Sequence, residues 1–248
     1  MPTIAIVGAG PQLGFAIGEQ FARKGGFNVA LVARGEAQLA DLVDRFGGKG
    51  ISAAAFPADV TDRPGLGAAL AAAEEHFGSV DVLEYSPAPT LSDLTANPLV
   101  TAADLTVETV LPELERYFFG AVTAVRQVLP GMIERGSGTI VATSGAGSGP
   151  MVVPQVANAN AANAAMRNWL LALNESVADK GVHVAHVALG AAIGNGRPNS
   201  EPDVIAGLYW KIHTARDAAE VFHFDLPEDF AFQLADKFVA DDGPAGTS

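Results

Sequence analysis

A run of β-branched and apolar residues, Thr3 to Val7, leads straight into the turn VGAGPQLG and then into a stretch with Leu13, Ile17 and Phe21 at helical spacing. A strand that becomes a helix within a few residues needs backbone free of Cβ at the corner. The helix it opens points unsatisfied amides and the positive end of its dipole back at that corner, which suits a phosphate or pyrophosphate. Gly8, Gly10 and Gly14, in G-x-G-x-x-x-G spacing, are the expected contacts, with Gln12 and Leu13 beside them. A steric reading stands next to this one, because strand-to-helix corners favour glycine whether or not an anion binds.

The alternation continues along the chain. Strands are predicted at Asn28 to Ala33, Ile51 to Phe56 and Val80 to Tyr85, with helices at Glu36 to Phe46 and Arg63 to Phe77 between them. A Pro-containing loop from Ser86 to Val100 precedes a helical region from Ala103 to Glu134, where Pro112 and Pro130 are expected at a break or a first turn. Further strands are predicted at Gly138 to Ser144, Val182 to Leu189 and Val221 to Asp225. Helices at Ala157 to Ala178 and Asp203 to Thr214 accompany them, with a Gly, Pro and Asn rich loop from Gly190 to Pro202. Short strands alternating with longer helices predict a parallel sheet with crossover helices, hence one α/β doubly wound domain of about seven strands. That domain covers residues 1–240 and leaves 241–248 as a flexible tail. The Phe-rich end (Phe222, Phe224, Phe230, Phe232, Phe238) is expected on the sheet edge or on a partner subunit.

Composition narrows the chemistry. No cysteine occurs in the 248 residues, which excludes thiolate nucleophiles, zinc fingers and iron–sulfur clusters. A formal charge of −13 without a basic patch argues against a nucleic-acid partner. The amino-terminal apolar run ends in a turn within ten residues and no segment has the length of a membrane span, so a cytoplasmic protein is expected.

Arg34 stands directly after the second strand, where a dinucleotide-binding fold reads the adenosine ribose. An acid there would suit a free 2′-hydroxyl, whereas Arg34 suits a 2′-phosphate, so NADP is favoured over NAD. A solvated strand-end charge is the alternative for Arg34. Asp59, next to Val60, can accept from an adenine amino group or serve as a helix cap.

Taken together, the glycine turn, ADV after strand three, VDVL in strand four, VLPGMIERGSGTIV into strand five and GVHVAHV in strand six resemble a short-chain dehydrogenase/reductase. The resemblance covers nearly the whole chain. It implies a Rossmann-like fold, an NADP(H) cofactor that Ile193 also contacts, oxidoreductase activity on a small molecule, and a homodimer or homotetramer. Standard members carry Asn, Ser and Tyr-x-x-x-Lys, with the tyrosine passing the proton and the lysine lowering its pKa. Here the residues four beyond Tyr85, Tyr117 and Tyr209 are Pro89, Ala121 and His213, so that motif is missing. Aligning NAAMRNWLLAL with the family helix puts Ala159 and Asn163 at its tyrosine and lysine positions; one register away, Asn158 and Ala162 stand there instead.

Tyr85 and Tyr117 map near the nicotinamide pocket, either as a repositioned acid or as buried packing. Ser144, one residue before the family serine position, is an oxyanion-donor candidate or a plain strand-end serine. Glu84 in VDVLEY points to solvent at the strand end or is a raised-pKa acid in the pocket. His183 and His186 are three apart on one strand and face opposite ways, which excludes a metal site built from that pair; none is expected. His213 and His223 read as packing or surface residues. Asn158, Asn160 and Asn163 lower helix propensity and either pack against a partner or face the pocket. Whether the chain is an enzyme stays open. The readings are an NADP(H) oxidoreductase with degenerate catalytic residues, a non-catalytic cofactor-binding or interaction protein, and a non-redox isomerase or lyase.

Overall fold

The first strand, β1 (Thr3–Val7), is buried along its whole length between β2 (Asn28–Ala33) and β4 (Val82–Tyr85). All three are mostly apolar, because a parallel sheet covered on both faces leaves no wet side, and Glu84 is the acid within them. The structure, a computed structural model of the chain, describes residues 1–149 and 151–225. Helices α1 (Leu13–Gly25), α2 (Glu36–Gly47) and α3 (Arg63–Phe77) connect the first four strands, with β3 (Ala53–Pro57) outside β2. The second half adds β5 (Gly138–Gly145), β6 (Val182–Ala191) and β7 (Glu220–Asp225).

Among the described residues seven parallel strands form one sheet, in the order β3-β2-β1-β4-β5-β6-β7. This is the doubly wound α/β domain expected from the alternation. The order reverses between β1 and β4, and a crevice opens at their carboxyl ends, where ligands bind in such sheets.

One core layer packs α3, α6 (Gly120–Arg135) and α7 (Ala157–Val177) on the sheet through Leu66, Leu70, Val128, Met132, Met166 and Leu170. On the opposite face Ile17, Phe21, Leu39, Phe46, Ile205 and Tyr209 join α1, α2 and α8 (Pro202–Ala215).

Several expectations need correction. The stretch from Ser86 to Val100 contains a six-residue helix, α4 (Leu91–Ala96), closed by a capping box between Thr90 and Asp93. Neither proline of the long helical region ends a helix. Pro112 lies within α5 (Val107–Glu113), which runs into a π-helical stretch over Leu114–Phe119, and Pro130 lies within α6. Burial of Val128 and Met132 on either side of Pro130 holds the helix together across the missing backbone hydrogen bond. Strand β6 continues two residues beyond Leu189, and β4 begins at Val82 rather than Val80. Phe222 and Phe224 are exposed on the edge strand β7, whereas Phe230, Phe232, Phe238 and the 241–248 tail lie outside the described residues. Among the described residues no helix is long and apolar enough to cross a membrane.

Candidate functional site at the carboxyl ends of the strands

The three glycines of the first turn are there for different reasons. Gly8 has φ +94°, and a Cβ on it would stand 2.6 Å from the Pro87 nitrogen, so no other residue fits. Gly14 lets α1 approach Ala9, its Cβ position being 3.3 Å from the Ala9 Cα. Nothing among the described residues demands a glycine at Gly10, where the nearest of their atoms to a Cβ is Gly8 O at 3.9 Å. Its bare Cα faces the crevice on both sides of the turn. Gln12 caps α1 without a side-chain hydrogen bond, and its amide group lies against Gly194 instead. The N–H groups of Leu13 and Gly14 take no partner among the described residues. The start of α1 is therefore an uncapped donor cluster beside open space.

Two clefts meet at this turn. The smaller, about 280 Å³, lies over β2 and is walled by Arg34, Gln38, Val60, Thr90 and Arg116. Arg34 does not stand free there. Its guanidinium donates to both carboxylate oxygens of Asp93, at 2.9 and 2.6 Å, and lies 3.8 Å from Asp59. The hydrogen bonds from Arg34 hold the Asp93 carboxyl well below the usual carboxylate range, helped by the Thr90 amide. Asp59 spends Oδ1 on the Thr61 amide and hydroxyl; the cap of α3 is Asp62, which accepts from Gly65 N–H.

The larger cleft, about 500 Å³, lies over β4, β5 and β6 and is mostly apolar, with Leu99, Val156, Leu189 and Ile193 on its walls. Tyr117, Ser144 and Asn163 supply polar groups. The π-helical stretch carries Tyr117 to this wall, and burial pushes its phenol up to about 12. Asn163 is 5% exposed, and its side-chain amide makes no hydrogen bond among the described residues, with Oδ1 buried and unpaired. Of the other helix amides, Asn160 reaches Val153 O. Asn158 is a clamp, donating to Pro98 O and Thr109 O and accepting from Val100 N–H.

Tyr85 is not at the cleft. It is fully buried in the core, its hydroxyl donates to Arg116 O at 2.5 Å, and burial raises its pKa far above the ordinary phenol. Glu84 does not reach solvent either. It is 1% exposed, accepts from Ser86 Oγ (2.9 Å) and Thr143 Oγ1 (3.2 Å), and burial pushes its carboxyl up to about 8. Both hydroxyls that touch it line the larger cleft, so Glu84 sits one hydrogen bond behind the wall. The place of β4 in the sheet explains both positions: Glu84 and Tyr85 pair with Ile6 and Val7 on one edge and with Val141 and Ala142 on the other, so neither edge of the strand is free.

Ser144 faces the cleft with its hydroxyl already engaged. Its Oγ is 2.7 Å from His186 Nε2 and 2.6 Å from Ser148 Oγ. His186 Nδ1 is 3.1 Å from Glu220 Oε1, and Arg167 clamps Glu220 with two hydrogen bonds. Sequence reasoning weighed His186 only against His183 and missed this line. The signal lies in the register: Ser144 pairs with Ala188, two residues from His186 and so on the same face, and His186 pairs with Glu220. His183, on the other face, has an unpaired Nε2. His213 packs among Phe21, Phe27 and Trp210 and meets Thr139, while His223 contacts Asn199 O.

The sequence profile of the family described as short chain dehydrogenase matches residues 2–200. The chain is 28% identical over 257 aligned positions to 2-(S)-hydroxypropyl-CoM dehydrogenase 3 of Xanthobacter autotrophicus, covering 97% of this chain and 95% of that protein. It is 29% identical over 185 positions to glycine betaine reductase of Emericella nidulans, but spans 14% of that protein's length against 75% of its own. A crystal structure of a metagenomic short-chain oxidoreductase in complex with NADP superposes with a TM-score of 0.76 over 92% of this chain and 98% of that one, at 19% identity. At that identity the likeness is one of fold.

Proposed function

The chain belongs to the short-chain dehydrogenase family, and from that premise we propose that it is an NADP(H)-dependent oxidoreductase of a small carbonyl or alcohol compound with a degenerate catalytic tetrad. The observation that carries this reading is Gly10, a glycine nothing among the described residues requires, at the uncapped start of α1 between two clefts. A Cβ there would fill the space a pyrophosphate needs.

Gly8, Gly10, Gln12, Leu13 and Gly14 form the cradle for the pyrophosphate, with the Leu13 and Gly14 amides donating. Val60 borders the adenosine cleft, Asp59 stands behind it, and Arg34 is the partner for a 2′-phosphate in exchange for Asp93. Ile193 borders the larger cleft, where a bound nicotinamide would supply or accept the hydride. Asn163 and Ala159 line that cleft, at the family's lysine and tyrosine positions in one of the two registers, Ala162 and Asn158 standing there in the other. None of these is an acid, which supports the degenerate reading. Tyr117 keeps its proton at neutral pH and is the phenol the cleft offers as a donor, while Ser144 lines the same cleft with its hydroxyl held by His186. Orientation in the cleft supplies part of the rate without any acid.

Titration of the protein with NADPH and NADH, followed by nicotinamide fluorescence, tests the reading. Saturation at micromolar NADPH supports it, and no binding of either cofactor overturns it. A second reading, a non-catalytic cofactor-binding protein, is favoured by the missing Tyr-x-x-x-Lys. Cofactor binding without turnover across a panel of aldehydes, ketones and alcohols would select it.

A further inference from the structure

Three adjacent strands each bring one residue to a single chain of hydrogen bonds that ends at the larger cleft. Ser144 stands near the end of β5, His186 lies in β6, and Glu220 opens β7. The tautomer follows from the partners. Arg167 on α7 and then His186 hold the Glu220 carboxyl below its ordinary range, so it is a carboxylate and can only accept. His186 Nδ1 must therefore carry the ring proton, which leaves the Nε2 lone pair facing Ser144 Oγ at 2.7 Å. The Ser144 hydroxyl donates to it. Ser148, the other partner of Ser144, has Gly145 O at 2.8 Å as a competing acceptor for its own proton.

Burial keeps the His186 imidazole neutral at pH 7, ready to take a proton, and the charged groups facing it are Glu220 and Arg167. His186 is sealed from solvent, whereas Ser144 lines the cleft. A nucleophile, a base within hydrogen-bond reach and a third group orienting that base are the parts an activated serine needs. Asn163 lines the same cleft, and its side-chain amide makes no hydrogen bond among the described residues.

We propose that Ser144, His186 and Glu220 form a nucleophilic triad that takes an acyl group from a small, largely apolar carboxylic ester held in the cleft. Ser144 Oγ bonds to the ester carbonyl carbon while its proton passes to His186 Nε2. The carbon–oxygen bond to the alcohol then breaks, and the alcohol leaves with that proton. Water hydrolyses the acyl-serine, giving its proton to His186, which returns one to Ser144 Oγ. The products are an acid and an alcohol, with no change of oxidation state. Nothing in this chemistry depends on nicotinamide binding.

The test treats the full chain with a fluorophosphonate probe and, separately, with p-nitrophenyl butyrate. The expected result is a single phosphonyl adduct on Ser144 and at least one equivalent of p-nitrophenol released per chain. The labelling rate should rise with pH as His186 loses its proton and then level off. S144A should abolish both signals, and H186N and E220Q should each slow labelling by roughly 10²-fold or more. Thermal melting checks that each variant is folded; if H186N is not, E220Q and the wild-type pH profile decide. The triad is overturned if the folded wild type gives no Ser144 adduct or no p-nitrophenol release, or if folded E220Q labels at the wild-type rate.

Discussion

Asp93 and Arg34, 59 residues apart, join through two hydrogen bonds at the mouth of the smaller cleft, with Arg116 3.4 Å from the same carboxylate. The capping box of α4 aims Asp93 at this point, since its carboxylate also accepts from Thr90 N–H and Oγ1 at 2.7 Å each. A 2′-phosphate must take Arg34 from Asp93. D93N should therefore tighten NADPH binding by roughly 3-fold, the scale of a partly exposed ion pair worth ~0.2–1 kcal/mol, with NADH little changed. R34A should weaken NADPH more than NADH. Parallel titrations of the three proteins check both, and an unchanged NADPH/NADH ratio in R34A removes the 2′-phosphate role.

The contrast between Gly8 and Gly10 separates folding from binding. G8A forces a positive φ and a 2.6 Å approach to Pro87, and should destabilise the protein by roughly 1–3 kcal/mol or more in denaturant unfolding. G10A meets nothing within 3.9 Å and should stay within about 0.5 kcal/mol of wild type, yet lose dinucleotide affinity. Equal cofactor affinity in G10A and wild type would place the pyrophosphate elsewhere.

Removing either phenol should have opposite consequences. Y85F removes a buried hydrogen bond to the Arg116 carbonyl and should cost about 1 kcal/mol of stability, with cofactor binding unchanged. Y117F should alter stability by less than ~0.5 kcal/mol and slow any carbonyl reduction by roughly 10²-fold if Tyr117 is the acid. Unfolding curves and turnover on an accepted substrate report the two effects separately.

Glu84 sets a pH dependence of stability with a definite sign. Its folded carboxyl titrates near 8 because burial disfavours the charge, while the unfolded group titrates near 4.5. Between these values the folded state holds a proton that the unfolded state has lost, so this contribution is fully present below about pH 4.5 and lost as pH rises through about 8. E84Q, neutral at every pH, should flatten that fall and leave the protein at least as stable as wild type at pH 8. Denaturant midpoints from pH 5 to 9 measure it; an identical slope in both proteins would show that Glu84 does not titrate in this window.

Much of the scaffold was readable from local pattern alone. β2 and α3 fall where periodicity and glycine or proline boundaries put them, and most other elements lie within one or two residues of prediction. Pro130 was misread because its cost is offset by packing on either side, which a local rule does not contain. Asp93 carries a readable signal, the T-x-x-D capping box over Thr90 to Asp93, but its partner Arg34 follows β2, 59 residues earlier in the chain. Of the two readings of Glu84, exposure at the strand end fails, because Ser86 and Thr143 satisfy the carboxyl in the interior and no local pattern contains those contacts.

By itself the sequence determined the doubly wound sheet, the glycine corner at the end of β1 and the absence of Tyr-x-x-x-Lys, since each depends on residue type and spacing within a short segment. Only the tertiary structure decided that Tyr85 is core and Tyr117 is cleft, that Arg34 is already paired, and that Ser144 meets His186 and Glu220. Those relationships depend on strand order and register, which place residues 42 and 34 positions apart within one hydrogen bond of each other. A register slip of one residue would turn each side chain to the opposite face of the sheet.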